Sequence, residues 1–156
     1  MQDKKHLCNE ESEVQAQRRA RIFMASICAE IATSSGKRES CEIEFTQGVP
    51  VTLCIRSARF GELSFTDDNM FAAMSACRRR LEQDGYLLLC NGGRRDAYPS
   101  QMILEMGGGR KIYLLHAGKQ TSREDLVDIF GAATIEQVCT VAEQRASYDA
   151  WIRSLG

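Results

Sequence analysis

The sequence predicts an α+β domain in which helices pack against a largely antiparallel sheet of about five strands. Apolar and polar residues alternate along two segments in the first third of the chain, which is the period of strands. Apolar residues recur every three or four positions near the middle and the end of the chain, which is the period of helices. The predicted order is helix, three strands, helix, two strands and two helices, and the last helix is long.

The N-terminal part is predicted to contain a helix from Glu11 to Thr33. Phe23, Ile27 and Ile31 recur at four-residue spacing, which would place them on one helix face. Residues 1–10 are mostly polar and are expected to form a flexible tail. Residues 11–156 have the length of one ordinary domain.

A β-hairpin is predicted next. Cys41 to Thr46 and Val51 to Arg56 alternate apolar and polar residues, and Gln47-Gly48 between them favours a turn. A short third strand is predicted at Glu62 to Phe65.

The best-specified helix begins after Asp67 and Asp68, which precede Asn69 and add negative charge near the helix N-terminus. Its apolar positions form one stripe that would face the sheet, namely Met70, Phe71, Met74, Cys77 and Leu81. The three consecutive arginines that follow, Arg78, Arg79 and Arg80, are predicted to lie on its exposed face.

Two apolar runs, at Leu87–Leu89 and Ile112–Leu115, have the length of buried strands. They enclose a long segment with two glycine clusters and paired arginines. Such long connections are usually functional or disordered, and the apolar residues in this one favour order.

Two further helices are predicted at the C-terminus. Ser122 is a candidate N-cap for a short helix that includes Phe130 and ends at Gly131. Thr134 and Gln137 have capping-box spacing and would begin the long closing helix.

The composition is that of a globular protein, with 44% hydrophobic and 26% charged residues and a net charge of −1. No apolar run approaches the roughly 20 residues needed to span a bilayer, and the N-terminus lacks the apolar core of a signal peptide. We therefore expect a cytoplasmic protein without a membrane partner.

The seven cysteines are scattered and include no C-x-x-C pair, so we expect reduced thiols. Strand parity places Cys41 and Cys54 on opposite faces of the predicted hairpin. His6 and Cys8 could bind a metal, but His116 is the only other histidine in the chain. We therefore expect no metal and no cofactor.

The glycine run at Gly107–Gly109 is followed by Arg110 and Lys111, which suggests a phosphate-binding loop. Phosphate-binding loops lead into a helix, whereas this run leads into a predicted strand. A glycine turn is the favoured interpretation.

A basic patch with an aromatic residue for base stacking could form from Arg94, Arg95, Tyr98, Arg110 and Lys111. This pattern supports a nucleic-acid-binding domain as an alternative function, although no RNA- or DNA-binding motif accompanies it.

Four residues could in principle supply a nucleophile, an orienting carboxylate and a base, namely Cys90, Ser100, Asp96 and His116. None stands in a recognised nucleophile motif, so a small enzyme is the less favoured alternative.

Four segments, LEQDGYLLLCNGGRRDAYPS, MGGGRKIYLL, EDLVDIF and TVAEQRASYDAWIRS, resemble a group of small bacterial proteins. Some of these look like immunity proteins of polymorphic-toxin and contact-dependent growth-inhibition systems. The resemblance covers roughly Phe60 to Gly156. It implies a non-catalytic cytosolic protein that binds one cognate toxin domain, commonly a nuclease, and blocks its active site or its access to substrate.

An inhibitor of a nuclease would place carboxylates against the basic residues that the nuclease uses for phosphate. The candidates are Asp67, Asp68, Glu124, Asp125 and Asp128. All of them except Asp128 could equally stabilise a helix N-terminus. Together with Arg94, Arg95, Tyr98 and Arg110 they are the predicted partner-binding residues, and nucleic acid is not expected to be the direct partner.

Overall fold

The computed structural model describes residues 25–156, which form an α+β structure as predicted. A five-stranded antiparallel sheet has the strand order β4-β3-β2-β1-β5, and a smaller sheet has the order β6-β7-β8. The strands are β1 (Ala25–Thr33), β2 (Arg38–Phe45), β3 (Val51–Ser57), β4 (Gly61–Asp67), β5 (Tyr86–Leu88), β6 (Ala97–Tyr98), β7 (Lys111–Leu114) and β8 (Leu126–Asp128). The helices are α1 (Met70–Glu82), α2 (Gln101–Gly107) and α3 (Val141–Ser154). The predicted flexible tail at residues 1–10 lies outside the described residues.

The predicted hairpin is confirmed as β2 and β3. Ile43 pairs with Ile55 and Phe45 with Leu53, and all four side chains are buried on the face that α1 covers. This alternation buries one face of the hairpin, as its sequence period requires. The predicted third strand is also present, as β4.

The predicted helix from Glu11 to Thr33 is wrong over its described part, because Ala25–Thr33 is strand β1. Residues 11–24 lie outside the described residues. Ile27 and Ile31 are four residues apart, so they share one face of a strand as well as one face of a helix. Pairing of β1 with β2 on one side and β5 on the other decides in favour of the strand.

Helix α1 begins where the sequence predicts it. The Asn69 side chain accepts a hydrogen bond from the Ala72 N–H at 2.8 Å and is the N-cap. Met74, Cys77 and Leu81 are fully buried, so the apolar stripe forms the contact with the sheet.

The long segment between β5 and β7 is ordered. It contains a 3₁₀ turn at Asn91–Gly93, strand β6 and helix α2. Gly108 has φ +64° and ends α2 just before β7, so the glycine run is the turn that the sequence favoured. A Cβ at Gly92 would overlap the sulfur of Met74 and lie 2.7 Å from Ile129 Cγ1. Only glycine lets the chain pass so close to the core here.

The short helix predicted after Ser122 is wrong. Only a 3₁₀ turn, Arg123–Asp125, is present, and strand β8 follows it and pairs with β7. The capping signal is real, since the Asp125 carboxylate accepts a hydrogen bond from the Ser122 N–H at 2.9 Å. Pairing of Val127 with Ile112, which is fully buried, outweighs the local helical preference.

The long closing helix is confirmed but begins later than predicted. Thr134 and Gln137 form an isolated turn, in which the Thr134 N–H donates to Gln137 Oε1 at 3.0 Å. Thr140 is the N-cap of α3, and its hydroxyl accepts from the Glu143 N–H.

The described cysteines are free thiols. The register places Cys41 beside Ile43 on the core face and Cys54 opposite Glu44 on the other face, as parity predicts. None of the helices within residues 25–156 is long and apolar enough to cross a membrane.

Candidate functional site

A buried arginine fixes the last helix to the rest of the domain. Arg78 was predicted to be exposed, but only 2% of its surface is accessible. Its guanidinium donates hydrogen bonds to the Gly92 carbonyl at 3.1 Å, the Cys139 carbonyl at 2.8 Å and Gln144 Oε1 at 2.6 Å. Burial lowers the pKa of Arg78 from its usual value. The first of the three arginines in the run is therefore a structural residue that links α1, the 91–93 turn and α3.

Gln144 completes this buried cluster. Its side-chain amide donates to the carbonyls of Gly92, Arg94 and Ala97 at 2.9 to 3.0 Å. These carbonyls belong to the segment that leads into β6. Because Gln144 lies in the second turn of α3, the cluster sets the position of α3 against β6.

A row of aromatic rings lies next to this buried cluster, at the protein surface. Tyr98 of β6 stacks on Tyr148 of α3 with ring centroids 4.0 Å apart and planes 15° apart. Trp151 follows at 6.0 Å from Tyr148, and Phe71 of α1 meets Tyr98 edge-on at 5.0 Å. All four side chains are half-buried.

Arg145 lies one turn before Tyr148 on α3 and contacts two of these rings. Its guanidinium donates to the Tyr98 hydroxyl at 3.2 Å and lies 5.7 Å from the Tyr148 ring centroid. The contact with the Tyr98 hydroxyl, followed by the charge of Asp149, raises the pKa of Arg145. We call Phe71, Tyr98, Arg145, Tyr148 and Trp151 the aromatic ridge.

The ridge has a cleft on either side of α3. One cleft, between α1 and α3, has a volume of about 380 Å³ and is lined in part by Asp67, Arg79 and Arg145. The other, which we call the indole pocket, has a volume of about 490 Å³ and is lined in part by Asp96 and Trp151.

The predicted arginines do not form one basic patch. Arg94 binds Asp96 through two hydrogen bonds of 2.7 and 2.8 Å, and Arg95 binds Glu143 at 2.7 Å. The hydrogen bond from Arg94 lowers the pKa of the Asp96 carboxyl. Arg110 lies elsewhere: it pairs with Asp128 and stacks over two phenylalanine rings of the core edge, Phe45 and Phe130.

The predicted carboxylates have different surroundings. Asp67 lines the cleft between α1 and α3, and Asp68 is exposed beside it. Glu124 is exposed on the 3₁₀ turn. Asp125 and Asp128 have partners within the protein, since Asp125 contacts His116 Nε2 at 3.3 Å and Asp128 binds Arg110.

The four candidate catalytic residues are occupied by other contacts. Cys90 is buried, which raises the pKa of its thiol to about 11 and opposes thiolate formation at neutral pH. Ser100 is the N-cap of α2, Asp96 is bound by Arg94, and His116 contacts Asp125. Within residues 25–156 no group of three or more histidine, cysteine or acidic side chains is placed to hold a metal ion.

Sequence reasoning identified Tyr98 but missed the rest of the ridge. Arg145, Tyr148 and Trp151 were not among the predicted partner-binding residues. Arg145, Tyr148 and Trp151 recur at three-residue spacing, which places them on one helix face. An arginine that continues an aromatic stripe is a signal that this face is not wholly buried.

In comparisons with known proteins, no family model matches the sequence, and no curated protein is significantly similar to it.

Proposed function

We propose that this protein is a cytoplasmic, non-catalytic inhibitor of the immunity type, which binds a cognate bacterial toxin domain and blocks its active site or substrate access. The observation that carries the proposal is the aromatic ridge. Tyrosine, tryptophan and arginine dominate the residues whose truncation costs most binding energy in protein interfaces. The ridge presents all three side-chain types on one half-exposed surface.

The ridge is also held rigid, which favours binding. Gln144 and Arg78 fix the backbone of β6 and the start of α3 with buried hydrogen bonds. Trp151 donates from its indole N–H to the His116 and Lys119 carbonyls at 3.0 and 3.1 Å. A surface that is ordered before binding loses less conformational entropy when the partner docks.

The class of partner comes from the resemblance of residues 60–156 to bacterial immunity proteins. A nuclease is the expected toxin activity. A nuclease presents basic residues around its substrate site, and the clefts beside the ridge offer carboxylates at Asp67 and Glu136. The nucleic-acid alternative is less favoured, because Arg94, Arg95 and Arg110 each pair with a carboxylate inside the protein.

The test combines capture with growth protection. Tagged protein is purified from its native bacterium, and co-purifying proteins are identified by mass spectrometry. The expected partner is the C-terminal domain of a large secreted protein that stops growth when expressed alone. Co-expression of the present protein is expected to restore growth.

Two variants on α3 locate the interface. Tyr148→Ala removes a central ring of the ridge, whereas Ile152→Ala removes a side chain that is 46% exposed in the last turn of the same helix and outside the ridge. We expect Tyr148→Ala to weaken binding by about 2 kcal/mol, or roughly 30-fold in Kd, as for an interface hot spot. We expect Ile152→Ala to leave Kd within about twofold.

Equal effects of the two variants would remove the ridge from the interface. Capture of nucleic acid without a toxic protein partner would overturn the proposed function itself.

A further inference from the structure

The indole pocket lies on the side of α3 away from the α1 cleft. Its apolar walls are formed by Leu115 and Ala117, which follow β7, and by Ala150 and Trp151 of α3. Its volume of about 490 Å³ exceeds that of any single amino-acid side chain. The pocket is therefore large enough to take an anchoring side chain of a bound protein.

The indole is a rigid wall of this pocket. Two hydrogen bonds from its N–H fix one edge to the His116 and Lys119 carbonyls, and Tyr148 stacks beside it. An indole held in this way offers a fixed aromatic surface, which is the best side-chain partner for a cation.

The charges around the pocket favour a positive ligand. Arg95 and Asp96 both line it, but Glu143 neutralises Arg95 and Arg94 neutralises Asp96. The remaining lining charge is that of Glu136, which is exposed and, within residues 25–156, makes no ion pair or side-chain hydrogen bond. The pocket thus combines apolar walls, an aromatic ring and one carboxylate that has no partner in the described part of the chain.

We infer that the indole pocket receives an arginine side chain of the partner. This inference rests on the proposed function and names the chemistry of one contact. The methylene stem of the arginine would lie against Leu115 and Ala150, and the guanidinium would stack on Trp151 and approach Glu136. A nuclease domain carries such exposed arginines for phosphate binding, so occupation of the pocket would withdraw one of them from substrate.

The test uses the isolated protein and small probes, so its outcome is independent of whether a toxin partner is captured. Trp151 is the only tryptophan of the chain, and its indole N–H gives a single NMR cross-peak that reports on the pocket. The probe is N-acetyl-arginine amide. N-acetyl-citrulline amide, which has nearly the same shape without the charge, is the control ligand.

We expect the arginine probe to shift the indole cross-peak with a Kd on the order of millimolar, the range for a single weakly held side chain. Glu136→Gln is expected to weaken this response by roughly two- to fivefold, as for a solvent-exposed ion pair. Glu105→Gln, which changes an exposed carboxylate of α2 outside the pocket, is expected to leave it unchanged.

The inference is overturned by any of these results: no indole shift, equal shifts with the arginine and citrulline probes, or an arginine response that Glu136→Gln does not reduce. The N-acetyl-lysine amide probe distinguishes stacking from charge alone, because a planar guanidinium stacks on an indole better than an ammonium does. Lysine binding that matches or exceeds arginine binding would contradict the assignment to arginine.

Discussion

Arg78→Met tests whether the buried arginine holds the domain together. Methionine replaces the apolar stem of arginine but lacks the guanidinium, so it is shorter and has no hydrogen-bond donor. The change removes bonds to the carbonyls of Gly92 and Cys139 and to Gln144 Oε1. The perturbation is therefore the loss of the donors together with the buried guanidinium, while the apolar stem is kept.

The magnitude follows from the acceptors that lose their partner. The Gly92 carbonyl keeps a hydrogen bond from the Gln144 amide, so the change leaves the Cys139 carbonyl and Gln144 Oε1 without their Arg78 bonds. A buried acceptor without a partner costs about 1–3 kcal/mol. Removal of the buried charge offsets a part of this cost. We expect the free energy of unfolding to fall by about 2–5 kcal/mol, which corresponds to a decrease of roughly 4–20 °C in Tm for a domain of this size.

The assay is urea unfolding followed by circular dichroism, with thermal unfolding alongside. Arg79→Met is the matched control, because Arg79 is adjacent on the same helix and exposed. Its effect is expected to stay within about 0.5 kcal/mol. Equal effects at Arg78 and Arg79, or a loss below about 1 kcal/mol at Arg78, would refute the structural role of the cluster. A double variant with Gln144→Met should be less destabilised than the sum of the single variants, by about 0.5–3 kcal/mol.

Three further predictions concern packing, thiol reactivity and pH. Gly92→Ala should destabilise by about 1–3 kcal/mol because its Cβ overlaps the core, whereas Gly107→Ala meets no atom within 4 Å and should change the urea midpoint little. Iodoacetamide at about pH 8 should alkylate exposed Cys28 before buried Cys90, whose thiol pKa of about 11 disfavours the thiolate, and peptide mapping would show the order. Because the folded-state pKa of Asp96 is lowered, its ion pair adds stability above the ordinary carboxyl pKa of about 4 and loses it as pH falls through the lower folded value. Asp96→Asn should therefore flatten the fall in Tm below about pH 4, and an unchanged slope would contradict that assignment.

The sequence predicts secondary structure correctly where the spacing of its apolar residues fits a strand or a helix but not both. The hairpin of β2 and β3 alternates strictly, and α1 carries a stripe that fits only a helix, so both were located correctly. In β1 the spacing of Ile27 and Ile31 fits a helix and a strand equally well. Only pairing with distant strands decides between them, and that information is not local.

The candidate site was predicted less well, for a related reason. Residue type alone does not distinguish Arg78, Arg79 and Arg80. The fold buries Arg78 and leaves Arg79 exposed. Carbonyl groups of the 91–93 turn and Gln144 create the environment that accepts this arginine, and no periodicity in the sequence reveals them. Likewise, Arg95 and Arg110 do not form one patch because each pairs with a carboxylate that is distant in the sequence.

The buried cluster and the aromatic ridge are parts of one arrangement. Gln144 binds the Arg94 and Ala97 carbonyls on one side of α3, and Arg145, the next residue, binds the hydroxyl of Tyr98 at the surface. Two consecutive residues of the helix therefore contact this segment: Gln144 binds its buried backbone, and Arg145 binds the half-buried ring of Tyr98. Because Arg78 fixes Gln144, a buried charge on α1 determines where the tyrosines of two other elements meet. A surface built on such a cluster would need little rearrangement to bind a partner, which is the property that the proposed inhibitory function requires.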